Sequence, residues 1–118
     1  MAVVVLSAAV LVPWIAYLVL TLPPATTAYH WPLAWSGLDG AIAVGLAATA
    51  GLAARGHRHV RPAGAATVAL MAADAWFDVC TSPPGRPLAW AVADMIIEAG
   101  VASACLFLAG TARSAGRS

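Results

Sequence analysis

Charged side chains are scarce in this chain, and lysine is missing altogether. Charged residues make up 9% of the 118 residues, whereas a typical soluble domain carries roughly 25%. So few charges cannot cover a soluble surface, and a chain that is 62% hydrophobic is not a disordered polar tail. A net charge of +1 also leaves no basic footprint for nucleic acid. The composition therefore indicates an integral membrane protein.

The hydrophobic residues fall into four stretches, each long enough to cross a membrane, for which a helix needs about 20 mostly apolar residues. Pro23-Pro24, Arg55-Gly56 and the segment 82–85 separate these stretches. Because short connections make successive helices antiparallel neighbours, the sequence predicts an all-α membrane protein that folds as an antiparallel four-transmembrane-helix bundle. The predicted spans are residues 2–22, 37–54, 63–80 and 88–110 of a single membrane domain, 1–118.

The arginines predict how this bundle is oriented. Five of the 6 basic residues fall on one side of the predicted membrane, and only Arg86 falls on the other. Since arginine-rich segments stay in the cytoplasm, we expect both termini on the cytoplasmic side of a bacterial cytoplasmic membrane. The count of 30 alanines and the use of arginine in place of lysine are typical of a GC-rich bacterial genome. The five arginines are Arg55, Arg58, Arg61, Arg113 and Arg117.

Small residues recur every four positions on two of the spans. Ala43, Ala47 and Gly51 form such a row on the second span, and Ala99 and Ser103 do so on the fourth. Rows of small residues let helix backbones approach closely in a membrane. We therefore expect these residues to form the contacts between helices.

Acidic residues are missing from every loop and from both tails, and all 5 lie inside the predicted spans. A single charge at the centre of a span costs about 2.5–3.5 kcal/mol, and the predicted topology places all of these carboxylates in the outer half of the membrane. Asp74 and Asp78 are four residues apart, as are Asp94 and Glu98, which stacks each pair on one helix face. We therefore expect one interior cavity lined by carboxylates. Its predicted lining is Asp39, Asp74, Asp78, Asp94 and Glu98, and its predicted rim is Arg86, Trp35 and Trp90.

Five carboxylates in a medium of low dielectric must share protons, bind a cation, or do both. The cluster therefore predicts a membrane protein that binds or conducts a cation. Oxygen ligands suit a proton or a hard divalent metal such as Mg²⁺, Ca²⁺ or Mn²⁺. The candidate metal ligands are Asp74, Asp78, Asp94 and Glu98.

An enzyme is the first alternative. The spacing from Asp74 to Asp78, repeated from Asp94 to Glu98, resembles the Mg²⁺-diphosphate motifs of membrane prenyltransferases. This resemblance implies an isoprenoid- or lipid-modifying enzyme in which these four carboxylates are catalytic. A metal-free cyclase or isomerase would use a protonated acid on an alkene and the remaining carboxylates to stabilise a carbocation. A polar throat would favour transport, whereas an apolar pocket would favour a lipid substrate.

A structural subunit is the second alternative, because helix-borne carboxylates can bond neighbouring spans or pair with arginines of a larger membrane complex. The run Asp74-Ala75-Trp76-Phe77-Asp78 resembles a signature of small, uncharacterised bacterial four-helix membrane proteins, a resemblance that implies no activity. Thr49 and Thr67 are weak polar groups in the inner halves of the spans, so a complete ion path needs more than one chain. The expected partners are the lipid bilayer and either a homo-oligomer or a larger complex.

Overall fold

The computed structural model describes residues 2–111, and every regular element among them is an α-helix. The predicted all-α class with four helices is confirmed. Two arginines used to predict the orientation, Arg113 and Arg117, lie outside the described residues. The helices are α1 (Ala2–Thr21), α2 (Trp31–Ala54), α3 (Val60–Thr81) and α4 (Arg86–Thr111).

The last three helices begin before the apolar stretches that predicted them. The largest difference is in α2, which begins at Trp31 instead of residue 37. Each of these helices carries a proline in its first turn: Pro32, Pro62 and Pro87. Proline is tolerated there because the first N–H groups of a helix have no acceptor within it. Hydropathy marks the residues that prefer hydrocarbon, whereas the hydrogen-bonded helix continues into the polar flanks.

Three of the helices, α2, α3 and α4, are long and apolar enough to cross a membrane, and α1 contains a shorter apolar helical segment, Val5–Thr21. Hydroxyl groups in the helices find acceptors within their own turn. Thr21, Ser36, Thr81 and Ser103 each donate to the carbonyl four residues earlier, at 2.7–2.8 Å. Such local bonds satisfy a hydroxyl without water, which suits helices with apolar surroundings.

The chain divides into two compact units, Met1–His30 and Trp31–Ser118. The first contains α1, which continues through Pro13. In the turn that follows this proline, the rings of Trp14 and Tyr17 stack with their centroids 5.4 Å apart. The second unit contains α2, α3 and α4, and its central helix is α3, which packs against both of the others.

The α2–α3 contact is built on small and hydroxyl-bearing residues. Thr49 and Thr67 are each 1% exposed, and their hydroxyl oxygens lie 3.4 Å apart. Thr67 also donates to the carbonyl of Ala63 at 2.8 Å. Gly45 faces Thr67, and Gly64 faces Thr49, so the helices meet where side chains are smallest.

The predicted rows of small residues were wrong. Ala43 and Ala47 on α2, and Ala99 and Ser103 on α4, are exposed, and Gly51 is half-buried. The observed α2 contact uses residues 45 and 49, which lie on the opposite side of the helix from residues 43 and 47. Alanine is so frequent in this chain that spacing by four occurs on several stripes, and the buried threonines determine which stripe packs.

The turn between α2 and α3 is a Schellman motif. Gly56 has a φ of 58°, its N–H bonds the carbonyl of Ala53 at 3.0 Å, and the N–H of His57 bonds the carbonyl of Leu52 at 2.9 Å. A left-handed residue at this position is the usual end of a helix, and glycine adopts that conformation without a steric penalty. The turn ends α2 and allows α3 to begin within a few residues.

We predict that Gly45→Ala destabilises the packing of α3 on α2. A Cβ at this position would lie 2.5 Å from Thr67 Oγ1 and 3.2 Å from its Cβ and Cγ2. Overpacking of this kind costs about 1–3 kcal/mol, although alanine in an open helix site is favoured over glycine by roughly 0.5–1 kcal/mol. The expected result is a lower melting temperature of the detergent-solubilised protein.

Gly40→Ala is the matched control, because a Cβ at that position of the same helix meets nothing within 4 Å. This variant is expected to melt at or above the wild-type temperature. Equal melting temperatures for the two variants would contradict the close contact between Gly45 and Thr67. Thr67→Ala in the Gly45→Ala background is expected to restore part of the lost stability.

Candidate functional site

The acidic residues lie on the three helices of the second unit. Asp39 is near the start of α2, Asp74 and Asp78 are in the second half of α3, and Asp94 and Glu98 are in the first half of α4. Asp74, Asp78 and Glu98 are half-buried, whereas Asp39 and Asp94 are exposed. The exposed residues are therefore peripheral to the other three.

Asp74 and Glu98 form the centre of the site. Their side chains interact directly across the α3–α4 contact. Asp74 Oδ1 and Glu98 Oε2 are buried and have no hydrogen-bond partner among the described residues. Leaving a buried polar atom without a partner costs about 1–3 kcal/mol, so this pair is an unusual feature that calls for a proton or a ligand. We refer to it as the Asp74–Glu98 pair.

The other carboxylates add negative charge around this pair. Asp39, Asp78 and Asp94 are close enough to act electrostatically on Asp74, and Asp78 and Asp94 also act on Glu98. Within the described residues, the charges that act on the pair all belong to other acids, and Arg86 is not among them. The site therefore attracts positive charge.

A groove of about 320 Å³ runs between α3 and α4. We call it the α3–α4 groove. Glu98 is the one acidic residue in its lining, which is otherwise apolar, so the predicted cavity lined by several carboxylates is not what the structure contains at this place. Asp74 and Asp78 do not line the groove. The lining is Val68, Met71, Ala72, Ala75, Trp76, Met95, Glu98, Ala99 and Ala102.

The residues predicted to form the rim lie on α2 and α4. Trp35 packs edge-on against Trp31, with ring centroids 5.4 Å apart, and both line a separate apolar hollow of about 220 Å³ together with Phe77. Trp90 is 68% exposed, and Arg86 is the exposed first residue of α4. None of the three predicted rim residues lines the α3–α4 groove.

Apart from Glu98, the residues that line the groove were not predicted as site residues. Trp76 has the largest side chain among them; it borders the groove and is 69% exposed. The signal was the spacing of Val68, Ala72 and Trp76, which recur every four residues and so share one side of α3. The same spacing separates Met95 and Ala99 on α4.

Among the described residues, no group of three or more histidine, cysteine, aspartate or glutamate side chains is arranged to hold a metal ion. Hard divalent cations take six or more oxygen ligands. The Asp74–Glu98 pair supplies two carboxyl groups, whereas Asp78 and Asp94 act on it through their charge. A divalent cation held by this pair would therefore take most of its ligands from water.

Comparisons with protein-family models, curated proteins and solved structures gave no significant match for this chain. The resemblances to membrane prenyltransferases and to small bacterial membrane proteins therefore stay predictions. The function has to be argued from the chemistry of the site.

We predict that Asp74→Asn and Glu98→Gln have non-additive effects on stability. Because the two side chains interact directly, the double variant should differ from the sum of the single variants by about 0.5–3 kcal/mol. Each single substitution removes one of several like charges, so neither should lower the free energy of unfolding by much. The measurement is reversible unfolding in mixed micelles.

Asp39→Asn combined with Glu98→Gln provides the control cycle. Asp39 acts on Asp74 but is not among the charges that act on Glu98, so these two effects should add to within about 0.5 kcal/mol. If the cycle of Asp74 and Glu98 is equally additive, the two carboxyl groups do not form a pair.

Proposed function

We propose that this is a multi-pass membrane protein whose Asp74–Glu98 pair binds a cation, and that this cation is a proton. The observation that carries the proposal is the direct interaction of two half-buried carboxyl groups, each with a buried oxygen that has no partner. A proton placed between them converts one group into a donor. It also removes one negative charge from a site surrounded by other acids.

Membrane insertion is supported by the helices themselves. The helices α2, α3 and α4 have the length and composition of membrane spans, and large apolar side chains such as Val44 and Phe107 are each 70% exposed. So much exposed apolar surface is unfavourable in water and normal in lipid. We propose that α1 is a further span, in a bacterial cytoplasmic membrane with both termini in the cytoplasm.

An antiparallel arrangement of α2 and α3 is supported by the order of their contacts. Gly45 meets Thr67, and Thr49, one turn later on α2, meets Gly64, which is earlier on α3. In this arrangement the three carboxyl-bearing segments share one half of the membrane. That half is the outer one if the arginine-rich loop after α2 is cytoplasmic.

We predict that a cysteine at position 28 reacts with a membrane-impermeant maleimide from outside the cell, and that a cysteine at position 57 does not. The variants are Ala28→Cys and His57→Cys in a background without the free Cys80 and Cys105. The reason is that His57 lies in the arginine-rich loop. Permeabilised cells, in which both positions should react, provide the control. Reaction of position 57 from outside would reverse the orientation and place the acids in the cytoplasmic half.

We predict a protonated carboxylic acid in the reconstituted protein at neutral pH, visible as its carbonyl band in infrared spectra. The double variant Asp74→Asn with Glu98→Gln should lose this band, because neither amide can carry the proton. Each single variant should shift the band, because the proton loses one of its two acceptors. Asp94→Asn is the control and should retain it, since Asp94 is exposed. A wild-type protein without the band would refute the proposal.

Thermal unfolding of the same purified protein tests whether the bound cation is a metal ion. A ligand that binds only the folded state raises its stability in proportion to the logarithm of its concentration. We expect no change in melting temperature with Mg²⁺, Ca²⁺ or Mn²⁺. A rise in the wild type that is lost in Asp74→Asn would show that the bound cation is a metal and would overturn the proton assignment.

An isoprenoid- or lipid-modifying enzyme is the second candidate, because the α3–α4 groove is apolar and Glu98 borders it. Glu98 would then be the acid that protonates an alkene held in the groove. The test is incubation of the purified protein with polyprenyl hydrocarbons and analysis of the products. Conversion by the wild type, and none by Glu98→Gln, would favour this candidate.

A further inference from the structure

We propose that the α3–α4 groove binds a lipophilic organic cation, an amine or quaternary ammonium with an apolar body, and that this cation displaces the proton from the Asp74–Glu98 pair. The inference rests on the proposed function, because it requires the pair to hold a proton. It adds the chemical class of the ligand and the way in which the ligand is coupled to that proton.

The groove suits the apolar part of such a ligand. Its volume of about 320 Å³ is at the lower end of small-molecule pockets, which run from roughly 300 to 1,000 Å³. Met71 and Met95 line it from the two helices, and methionine adapts its shape to irregular ligands. The indole of Trp76, which is 69% exposed, also borders the groove, and an indole face attracts cations.

Charge decides between the possible occupants. Glu98 is the one charged residue in the lining, and Asp74, Asp78 and Asp94 add negative charge around it. A neutral lipid would fill the groove but leave this charge without a partner. A fatty acid or a phosphate group would be repelled. A cation with an apolar body satisfies both the lining and the charge.

The exchange conserves charge. When the organic cation reaches Glu98, its positive charge takes the place of the proton, which passes from the pair to water. One positive charge enters and one leaves, no covalent bond to carbon changes, and no redox partner is needed. Because the pair and the groove share Glu98, the two ligands compete for the same carboxyl group.

The direct test compares two probes of the same shape, benzyltrimethylammonium and neutral neopentylbenzene. Binding to the full-length protein is measured by equilibrium dialysis in non-ionic micelles, with empty micelles as the blank. The wild type should prefer the cation by about tenfold or more, as expected for a charge-assisted contact with an aromatic neighbour. Glu98→Gln should lose this preference. Asp94→Asn should keep most of it, because Asp94 is exposed and does not line the groove.

A second pair of variants tests the groove itself. Ala99→Leu fills it from α4, whereas Ala104→Leu adds the same side chain to an exposed position of α4 that is outside the lining. The first should abolish binding of both probes and the second should not. Unchanged binding in Ala99→Leu, or equal wild-type affinity for the two probes, would overturn the proposal and leave a neutral lipid as the occupant.

Proton release completes the test. Titration calorimetry of the cation in two buffers of different ionisation enthalpy should show the release of one proton per bound cation in the wild type, and no release would contradict the exchange. Failure of this inference can be told apart from failure of the proposed function. If the infrared band is present but the cation is not preferred, only the ligand assignment is wrong. If the wild-type band is missing, the proton site is wrong as well.

Discussion

The close contact between Thr67 of α3 and Gly45 of α2 is the constraint on which the site depends. Thr67 is 1% exposed and leaves no room for even a methyl group opposite it, so it determines which stripe of α3 faces the interior. Asp74 lies seven residues later, two helical turns along the same stripe. Asp74 therefore lies on the side of α3 that faces the other helices, where it is half-buried and interacts with Glu98. A carboxyl group is more stable in water or among lipid headgroups than in the interior of a protein. Asp74 is nevertheless half-buried, because the contact between Thr67 and Gly45 determines which side of α3 packs.

The polar groups of the helices divide into two kinds. Serine and threonine hydroxyls donate to a carbonyl of their own turn, as Thr81 and Ser103 do at 2.8 and 2.7 Å. A carboxylate cannot do this, because it only accepts hydrogen bonds and the helix has no free N–H groups in its interior. It needs a donor or a positive charge from elsewhere. For Asp74 and Glu98 that need is unmet within the described residues, which is why we place the proposed cation site at this pair.

The sequence predicted the helices well because the signal is local. Each helix is a long apolar stretch, and its ends coincide with proline, glycine or arginine. The spacing of Asp74 and Asp78, and of Asp94 and Glu98, also pointed to the face that holds the pair. The groove was not predictable in the same way, because it depends on how far apart α3 and α4 pack beside Trp76, and no periodicity carries that information. The prediction that rows of small residues form the helix contacts was wrong for a related reason. In a chain with 30 alanines, spacing by four does not identify which side of a helix packs.

The position of Glu98 gives the two proposals a common physical basis. This residue both interacts with Asp74 and borders the apolar groove, so a change in its charge affects the pair and the groove together. Thermodynamic linkage makes such coupling reciprocal: a proton that weakens binding of a cation must itself be bound less tightly when the cation is present. A site with separate residues for the proton and for the ligand would couple them more weakly, because the interaction of two charges falls with the distance between them. Here the carboxyl group of Glu98 alone is sufficient to couple the two proposed ligands, which is possible even in a unit built from three helices.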